Sequence, residues 1–174
     1  MSAAFISPQI SLLAKCPAGL EEVLATELND LGASKTELLH RAVAFEGDKR
    51  LLYAANYHCR TALRILLPVS RFSIHTEQDL YTRIKAIRWE DYFSVSDTFA
   101  IDSTIVSSVF THSHFVSQRV KDAIADRFRE KTGQRPSVDI ENPDFRINLH
   151  MNSNEVTVSF DSSGSSLHKR GYHV

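Results

Sequence analysis

Apolar residues recur with two different periods along the chain, and these periods predict an alternation of strands and helices. In the first part of the chain the predicted elements are a strand at residues 9–15, a helix from Pro17 to Gly32, strands at residues 35–39 and 42–45, a helix at residues 49–59 and a strand at residues 62–72. Pro17 and Asp48 favour helix starts, and Gly32 favours a helix end. The predicted order is β-α-β-β-α-β.

The second part of the chain predicts the order α-α-β-α-β-β. A helix begins at Thr76, where Asp79 completes a capping box. The further elements are a short helix at residues 89–93, a strand at residues 98–106, a polar loop at residues 107–114, a helix from Phe115, a loop at residues 132–144, and strands at residues 145–151 and 156–160 joined by a turn. We therefore predict an α+β fold with domains at residues 1–72 and 73–174. The first order is the split-βαβ, or ferredoxin-like, arrangement.

The longest predicted helix combines one apolar face with a basic surround. Its apolar residues recur every three or four positions, as one helix face requires, and they are Val116, Val120, Ala123, Ile124 and Phe128. Around them lie six basic residues, Arg119, Lys121, Arg127, Arg129, Lys131 and Arg135, against three acidic ones, Asp122, Asp126 and Glu130. Gly133 and Pro136 are typical of a helix end.

The net charge of the chain limits how it could bind a polyanion. The formal charge is −1 at pH 7, whereas non-specific binding to nucleic acid depends on neutralising many phosphates. Any nucleic-acid contact must therefore use a local basic patch, and the helix from Phe115 is the segment that offers one. On spacing alone, a solvated helix face with ordinary surface ion pairs explains the same residues equally well.

Length and composition indicate an ordinary globular chain. With 174 residues, 43% hydrophobic and 24% charged, it can bury one sizeable core or two small ones. No run approaches the roughly 18 apolar residues of a membrane-spanning helix, and the start of the chain lacks the features of a signal peptide. We expect no membrane association and a cytoplasmic location.

The chain shows no motif for common catalytic or cofactor chemistry. Cys16 and Cys59 lie far apart, next to apolar runs, which predicts buried reduced thiols. His112 and His114 have no acidic or cysteine partner at ligand spacing, so we expect no metal site. Glycine-rich motifs that cradle nucleotide phosphates are missing from the sequence, and no Ser, His and Asp set identifies a nucleophile.

A nucleic-acid hypothesis assigns roles to the basic helix and its flanks. Lys121, Arg129, Lys131 and Arg135 would contact RNA phosphates, and the loop with Phe110, Thr111, His112 and His114 would stack on or hydrogen-bond an unpaired nucleotide. Arg119 and the tail residues Lys169 and Arg170 complete the candidate set. Arg127 lies near the apolar face by helical angle, so we expect it to pair internally rather than contact RNA.

Short segments spread over nearly the whole chain carry a recognisable pattern. They are residues 16–21 (CPAGLE), 45–48 (FEGD), 120–124 (VKDAI), 126–129 (DRFR), 133–139 (GQRPSVD), 142–144 (NPD) and 166–172 (SLHKRGY). In these segments the chain resembles the amino-terminal part of THUMP-domain RNA methyltransferases. The resemblance is strongest to the bacterial 23S rRNA guanine-N2-methyltransferases.

The resemblance implies a division of labour between this chain and a catalytic domain. A ferredoxin-like domain and a THUMP domain, the latter starting at residue 73 or as early as residue 45 in a family profile, would dock structured RNA, with 23S rRNA as the partner. A Rossmann-like domain after residue 174 would bind S-adenosylmethionine. Residues 142–145 (NPDF) lack the second proline of the family's methylating motif, so we expect no cofactor site, no catalytic residue and no activity in these residues alone, and a monomer.

Two alternatives remain open from the sequence. The chain could be the RNA-binding half of a tRNA-modifying THUMP enzyme, a tRNA methyltransferase or a thiouridine synthetase. It could instead be a non-catalytic scaffold that contacts protein, with a basic helix that is merely solvated.

Overall fold

The fold consists of two compact units, which are described separately. The computed structural model describes residues 8–106, 110, 113–164 and 166–169. The first unit comprises Met1–Pro68 and Asp161–Val174, and the second comprises Val69–Phe160.

The first unit has the predicted ferredoxin-like order. Its elements are β1 (Ile10–Lys15), α1 (Glu21–Asp30), β2 (Ser34–Leu39), β3 (Ala42–Gly47), α2 (Lys49–His58) and the first half of β4 (Arg64–Ser73). The strands lie in the order β2-β3-β1-β4, and each neighbouring pair is antiparallel. Two helical crossovers on a four-stranded antiparallel sheet are the split-βαβ arrangement, so the predicted fold of this part is confirmed.

Side chains from both helices cover one face of this sheet. Leu24 and Leu28 of α1 are fully buried, one helical turn apart, and they pack with Phe45. Cys16 and Cys59 are buried free thiols, as predicted. Val23 is 48% exposed, because it is rotated by about 100° from Leu24 around the helix.

Most of the helix boundaries follow the predicted local signals. Asp48 caps α2 by accepting a hydrogen bond from the Leu51 N–H at 2.8 Å. Thr76 and Asp79 form a complete capping box, with the Asp79 N–H donating to Thr76 Oγ1 at 3.1 Å and the Thr76 N–H donating to Asp79 Oδ2 at 2.9 Å. Gly32 follows α1 with a φ of 96°, the left-handed conformation that suits glycine.

The segment after Asp161 belongs to the first unit, whereas the predicted second domain extended to residue 174. Asp161 forms an ion pair with Arg64, and the Ser162 N–H donates to the Ile65 carbonyl at 3.0 Å. Leu167, in a 3-10 helix at Leu167–Lys169, is 5% exposed. Burial of Leu167 and pairing of Asp161 hold this segment on the first unit, and the hydrophilic tail sequence carries no periodic signal of either contact.

The second unit is built around α4, which connects two parallel strands. Its elements are the second half of β4, α3 (Glu77–Ala86), a 3-10 helix (Trp89–Asp91), β5 (Thr98–Val106), α4 (Ser113–Thr132), β6 (Ser137–Val138), β7 (Phe145–Asn152) and β8 (Glu155–Asp161). The strand order is β4-β8-β7-β5-β6, and β5 is parallel to both β6 and β7. Two details differ from the prediction. The predicted short helix at residues 89–93 is a 3-10 helix, and the predicted loop at residues 132–144 contains the short strand β6.

The apolar face of α4 forms the centre of the second core. All five predicted residues, Val116, Val120, Ala123, Ile124 and Phe128, are at most 2% exposed. Trp89 and Phe99 pack against them, and so do Ile147, Leu149 and Met151 of β7. The 3.6-residue period of the sequence therefore identified the inward face of α4 correctly.

Candidate nucleic-acid interface

The carboxyl end of α4 exposes the most accessible of the predicted cations. Gly133, with a φ of 75°, ends the helix, and its N–H donates to the Arg129 carbonyl at 2.9 Å. Arg129, Lys131 and Arg135 are all exposed. Arg129 makes a 3.4 Å ion pair with Asp126, whereas Lys131 and Arg135 have no hydrogen bond or ion pair within the described residues. Their charges are therefore available to a partner.

The other two predicted cations of α4 do not join this group. The Arg119 guanidinium lies over the Tyr81 ring, 4.5 Å from its centroid, and donates to Gln78 Oε1 at 3.3 Å. Lys121 donates to Gln118 Oε1 at 2.7 Å and lies about 160° from Arg119 around the helix. Arg119 is thus part of the contact between α3 and α4, and the predicted set is spread around the helix rather than gathered on one face.

Arg127 pairs internally, as predicted. Its guanidinium binds both carboxylate oxygens of Glu90, and one of these contacts, from Nε to Oε2, measures 3.1 Å. A further bond reaches the Lys85 carbonyl at 3.4 Å. The hydrogen bond from Arg127 holds the pKa of Glu90 below its usual range. This two-pronged pair fixes α4 to the 3-10 helix that carries Glu90.

We expect the Arg127–Glu90 pair to make stability depend on pH in the acid range. Glu90→Gln should lower the free energy of unfolding by about 2 kcal/mol at pH 7, since it removes a charged hydrogen-bonding partner. Because the pKa of Glu90 is lowered in the folded state, the contribution is complete above the pKa of an unfolded glutamate, about 4.3. It is lost as the pH falls through the folded pKa.

Urea unfolding of both proteins between pH 7 and pH 2.5 measures this effect. The difference between the two free energies should be constant at neutral pH and shrink below about pH 4. Glu141→Gln, at an exposed carboxylate, is the matched control. A difference that persists unchanged to pH 2.5 would contradict the assignment.

The carboxylates of α4 are largely occupied by α3. The Tyr81 hydroxyl donates to Asp126 Oδ2 at 2.8 Å, and Lys85 Nζ lies 2.5 Å from Glu130 Oε1. The hydrogen bond to Glu130 raises the pKa of Lys85. Asp126 and Glu130 thus both contact α3, and of the exposed cations at the end of α4 only Arg129 pairs with either of them within the described residues.

The described residues of the predicted nucleotide-stacking loop lie in different environments. Phe110 is 8% exposed and packs in the second core, which argues against the predicted stacking of its ring on a base. A lone aromatic residue in a polar loop sequence indicates a surface ring, but the large apolar area of phenylalanine favours burial. His114 is exposed, with Nε2 3.5 Å from the Gln118 amide nitrogen. Thr111, His112, Arg170 and the side chain of Lys169 lie outside the described residues.

One cluster of functional candidates was not apparent from the sequence. Arg71 of β4, Arg83 of α3, and Arg88 and Tyr92 of the following connection line a single groove in the second unit. These residues belong to three different elements, so their spacing along the chain contains no signal of their proximity. Only the packing of α3 against the sheet brings them together.

The described residues contain neither a candidate metal site nor a candidate membrane-spanning helix. There, no group of three or more His, Cys, Asp or Glu side chains is arranged to hold a metal ion. No described helix is long and apolar enough to cross a lipid bilayer.

The NPD segment at residues 142–144 has a structural role in the second unit. Asp144 Oδ2 accepts hydrogen bonds from the Thr98 N–H and from its hydroxyl, both at 2.8 Å. These two bonds hold the pKa of Asp144 below its usual range. The segment thus joins the start of β7 to the start of β5, which is a sufficient reason for an aspartate at this position.

Two family models match the two parts of the chain. The RlmL ferredoxin-like domain matches residues 11–66, and the THUMP domain matches residues 75–161. The THUMP match ends at Asp161, where the chain returns to the first unit.

Known proteins resemble the chain over almost its full length. The ribosomal RNA large subunit methyltransferase K/L of Syntrophotalea carbinolica is 41% identical over 165 residues, which are 95% of this chain and 23% of that protein. The Synechocystis sp. protein slr0064, which is named as an RNA methyltransferase, is 41% identical over 171 residues. These residues are 98% of this chain and 44% of that protein. The chain therefore spans less than half of either relative.

A solved structure shows the same fold. The crystal structure of a "predicted N6-adenine-specific DNA methylase" from Listeria monocytogenes superposes with a TM-score of 0.83 at 30% identity, over 96% of this chain and 44% of that one. The similar sequences, the strand order and the two family models all indicate the same pair of domains. The chain therefore belongs to the THUMP-domain family, with a ferredoxin-like domain of the RlmL type preceding its THUMP domain.

Proposed function

We propose that the chain is the RNA-binding part of an RNA methyltransferase and docks structured RNA for a catalytic domain. The observation that carries this proposal is the 41% identity to a ribosomal RNA large subunit methyltransferase over 95% of the chain. The more specific proposal is guanine-N2 methylation of 23S rRNA, with S-adenosylmethionine bound by residues outside this chain.

The exposed end of α4 supplies the chemistry that such docking needs. Lys131 and Arg135 form no hydrogen bond or ion pair with any described residue, and Arg129, whose side chain is 53% exposed, pairs with Asp126 across 3.4 Å. An exposed ion pair is worth less than about 1 kcal/mol, so a phosphate can replace Asp126 as the partner of Arg129. Guanidinium groups bind phosphate oxygens through paired N–H donors.

The net charge makes the binding depend on this local patch. A chain with a charge of −1 has no overall attraction for RNA that could compensate for a lost contact. Binding and positioning are therefore the roles of these residues, and methyl transfer takes place elsewhere. Asp144, in the NPD segment, is engaged by Thr98 and is not available as a catalytic group.

Lys131→Ala and Arg135→Ala together are expected to weaken binding to a 23S rRNA hairpin, measured by fluorescence anisotropy over a range of salt concentrations. Each phosphate contact that is lost should reduce the slope of log affinity against log salt by about 0.7 to 0.9. Lys121→Ala should have a smaller effect, because Lys121 lies away from the end of α4 and contacts Gln118.

The matched control is the double variant Lys49→Ala and Arg50→Ala, which removes two exposed charges from α2 in the first unit. An unchanged salt slope for the α4 variants would show that the RNA site lies elsewhere. Tighter binding to tRNA acceptor ends than to the rRNA hairpin would assign the chain to a tRNA-modifying enzyme. Absence of RNA binding at low salt would favour a protein-binding scaffold.

A further inference from the structure

A groove lined with arginines runs along the second unit, apart from the exposed end of α4. Its volume is about 360 Å³, at the lower end of the range of about 300–1,000 Å³ for small-ligand sites. The walls are formed by β4, the end of α3 and the connection that includes the 3-10 helix. The lining residues used below are Arg71, Arg83, Arg88, Asp91 and Tyr92.

The charge in this groove is positive and accessible. The side chains of Arg71 and Arg88 are each 74% exposed, and Arg83 is exposed with no ion pair or hydrogen bond to any described residue. Asp91 is the one carboxylate in the described lining, and it lies 2.9 Å from Arg88. The lining thus holds three guanidinium groups and one carboxylate, and a second carboxylate, that of Glu155, pairs with Arg71.

The existing partners of these arginines are weak competitors for a phosphate. Arg71 Nε lies 3.2 Å from Glu155 Oε2, and that carboxylate also accepts a hydrogen bond from the Ser73 hydroxyl. The Arg71–Glu155 and Arg88–Asp91 pairs are both between largely exposed side chains, in water and screened by salt. A phosphodiester offers a guanidinium the same paired oxygen geometry as a carboxylate.

An aromatic ring lies at the same groove. Tyr92 is 42% exposed, and its ring centroid is 5.1 Å from that of Phe160. Packing against Phe160 holds the ring while part of its surface remains open to the groove. Exposed aromatic rings beside arginines are the combination that binds unpaired nucleotides, through base stacking and phosphate contacts.

We propose that this arginine groove binds one unpaired nucleotide of the substrate RNA, with its flanking phosphates on Arg71, Arg83 and Arg88 and its base stacked on Tyr92. This inference rests on the proposed RNA-binding function and gives it a second site, selective for single-stranded RNA. A groove of about 360 Å³ has room for a single nucleotide.

The test compares a short fluorescein-labelled single-stranded RNA with a blunt duplex of the same sequence, titrated with the 174-residue chain. Arg71→Ala, Arg83→Ala and Arg88→Ala together should weaken single-strand binding at least about tenfold and reduce the salt slope by about 2. Duplex binding should change much less. The charge-matched control is Lys49→Ala, Arg50→Ala and Arg60→Ala, at exposed positions in the first unit.

Tyr92 is tested with two substitutions that separate stacking from packing. Tyr92→Leu keeps an apolar contact with Phe160 but removes the aromatic face, and it should weaken single-strand binding about tenfold. Tyr92→Phe keeps both the face and the contact, and it should bind like the unaltered chain. Circular dichroism and thermal unfolding of each variant check that the fold is retained.

The outcomes distinguish this inference from the proposed function. If the groove variants and the charge-matched control bind single-stranded RNA equally well while the Lys131 and Arg135 variants bind weakly, the groove inference is wrong and the RNA-binding function stands. If the unaltered chain binds neither RNA at low salt, the proposed function is overturned together with the groove. Equal losses for single strand and duplex would contradict selectivity for an unpaired nucleotide.

Discussion

Trp89→Ala is expected to lower the free energy of unfolding by about 3–5 kcal/mol, the usual range for removing a large buried aromatic side chain. Trp89 is fully buried and packs edge-on against Phe160, with 6.1 Å between ring centroids. Its indole N–H donates to the Ile84 carbonyl at 2.9 Å. The substitution would open a cavity between α3 and the sheet and remove the indole donor, so that the Ile84 carbonyl would keep only the Ile87 N–H, at 3.2 Å.

Urea unfolding followed by circular dichroism measures the loss, because the variant lacks the only tryptophan of the chain. Trp89→Phe is the control that separates packing from hydrogen bonding. It should cost about 1–2 kcal/mol, mostly from the lost hydrogen bond. A loss below about 1 kcal/mol for Trp89→Ala would mean that the 3-10 helix does not anchor this core.

Phe110→Ala is expected to lower the free energy of unfolding by about 3 kcal/mol without weakening RNA binding directly. Phe110 is 8% exposed and belongs to the second core, although its polar sequence neighbours favoured a role in base stacking. The same titration used for the α4 variants, performed well below the melting temperature, measures RNA affinity separately from stability.

Phe110→Leu is the matched control, because it keeps most of the apolar volume and should cost less than about 1.5 kcal/mol. If Phe110→Ala reduced RNA affinity while the free energy of unfolding stayed the same, the ring would contact RNA after all. The prediction that Phe110 stacks on a base would then be correct, and the burial of its ring in the core would not determine its role.

The period of apolar residues was sufficient to predict most of the architecture. It gave the β-α-β-β-α-β order of the first unit and five of the six buried residues of α4, because one buried helix face imposes a 3.6-residue repeat on the sequence. Helix caps were equally clear at Asp48 and Thr76. Such signals are local, so neighbouring residues are enough to reveal them.

The internal pairing of one α4 residue, Arg127, was partly predictable because it also depends on a position around the helix. Arg127 lies close to the apolar face by helical angle, which indicated an internal partner, and the structure identifies that partner as Glu90. The identity of Glu90 could not be predicted, since it lies 37 residues away. Arg119 shows the limit of the approach, because its stacking on Tyr81 depends on how α3 packs beside α4.

The sequence by itself determined the two-domain α+β fold, the inward face of α4 and the basic character of its end, because each follows from residue types at fixed local spacing. Only the tertiary structure decided that Phe110 is buried, that the segment after Asp161 returns to the first unit, and that Arg71, Arg83, Arg88 and Tyr92 share one groove. The physical reason is that each depends on contacts between residues distant in the chain. Such contacts are set by the packing of whole elements, which no local period records.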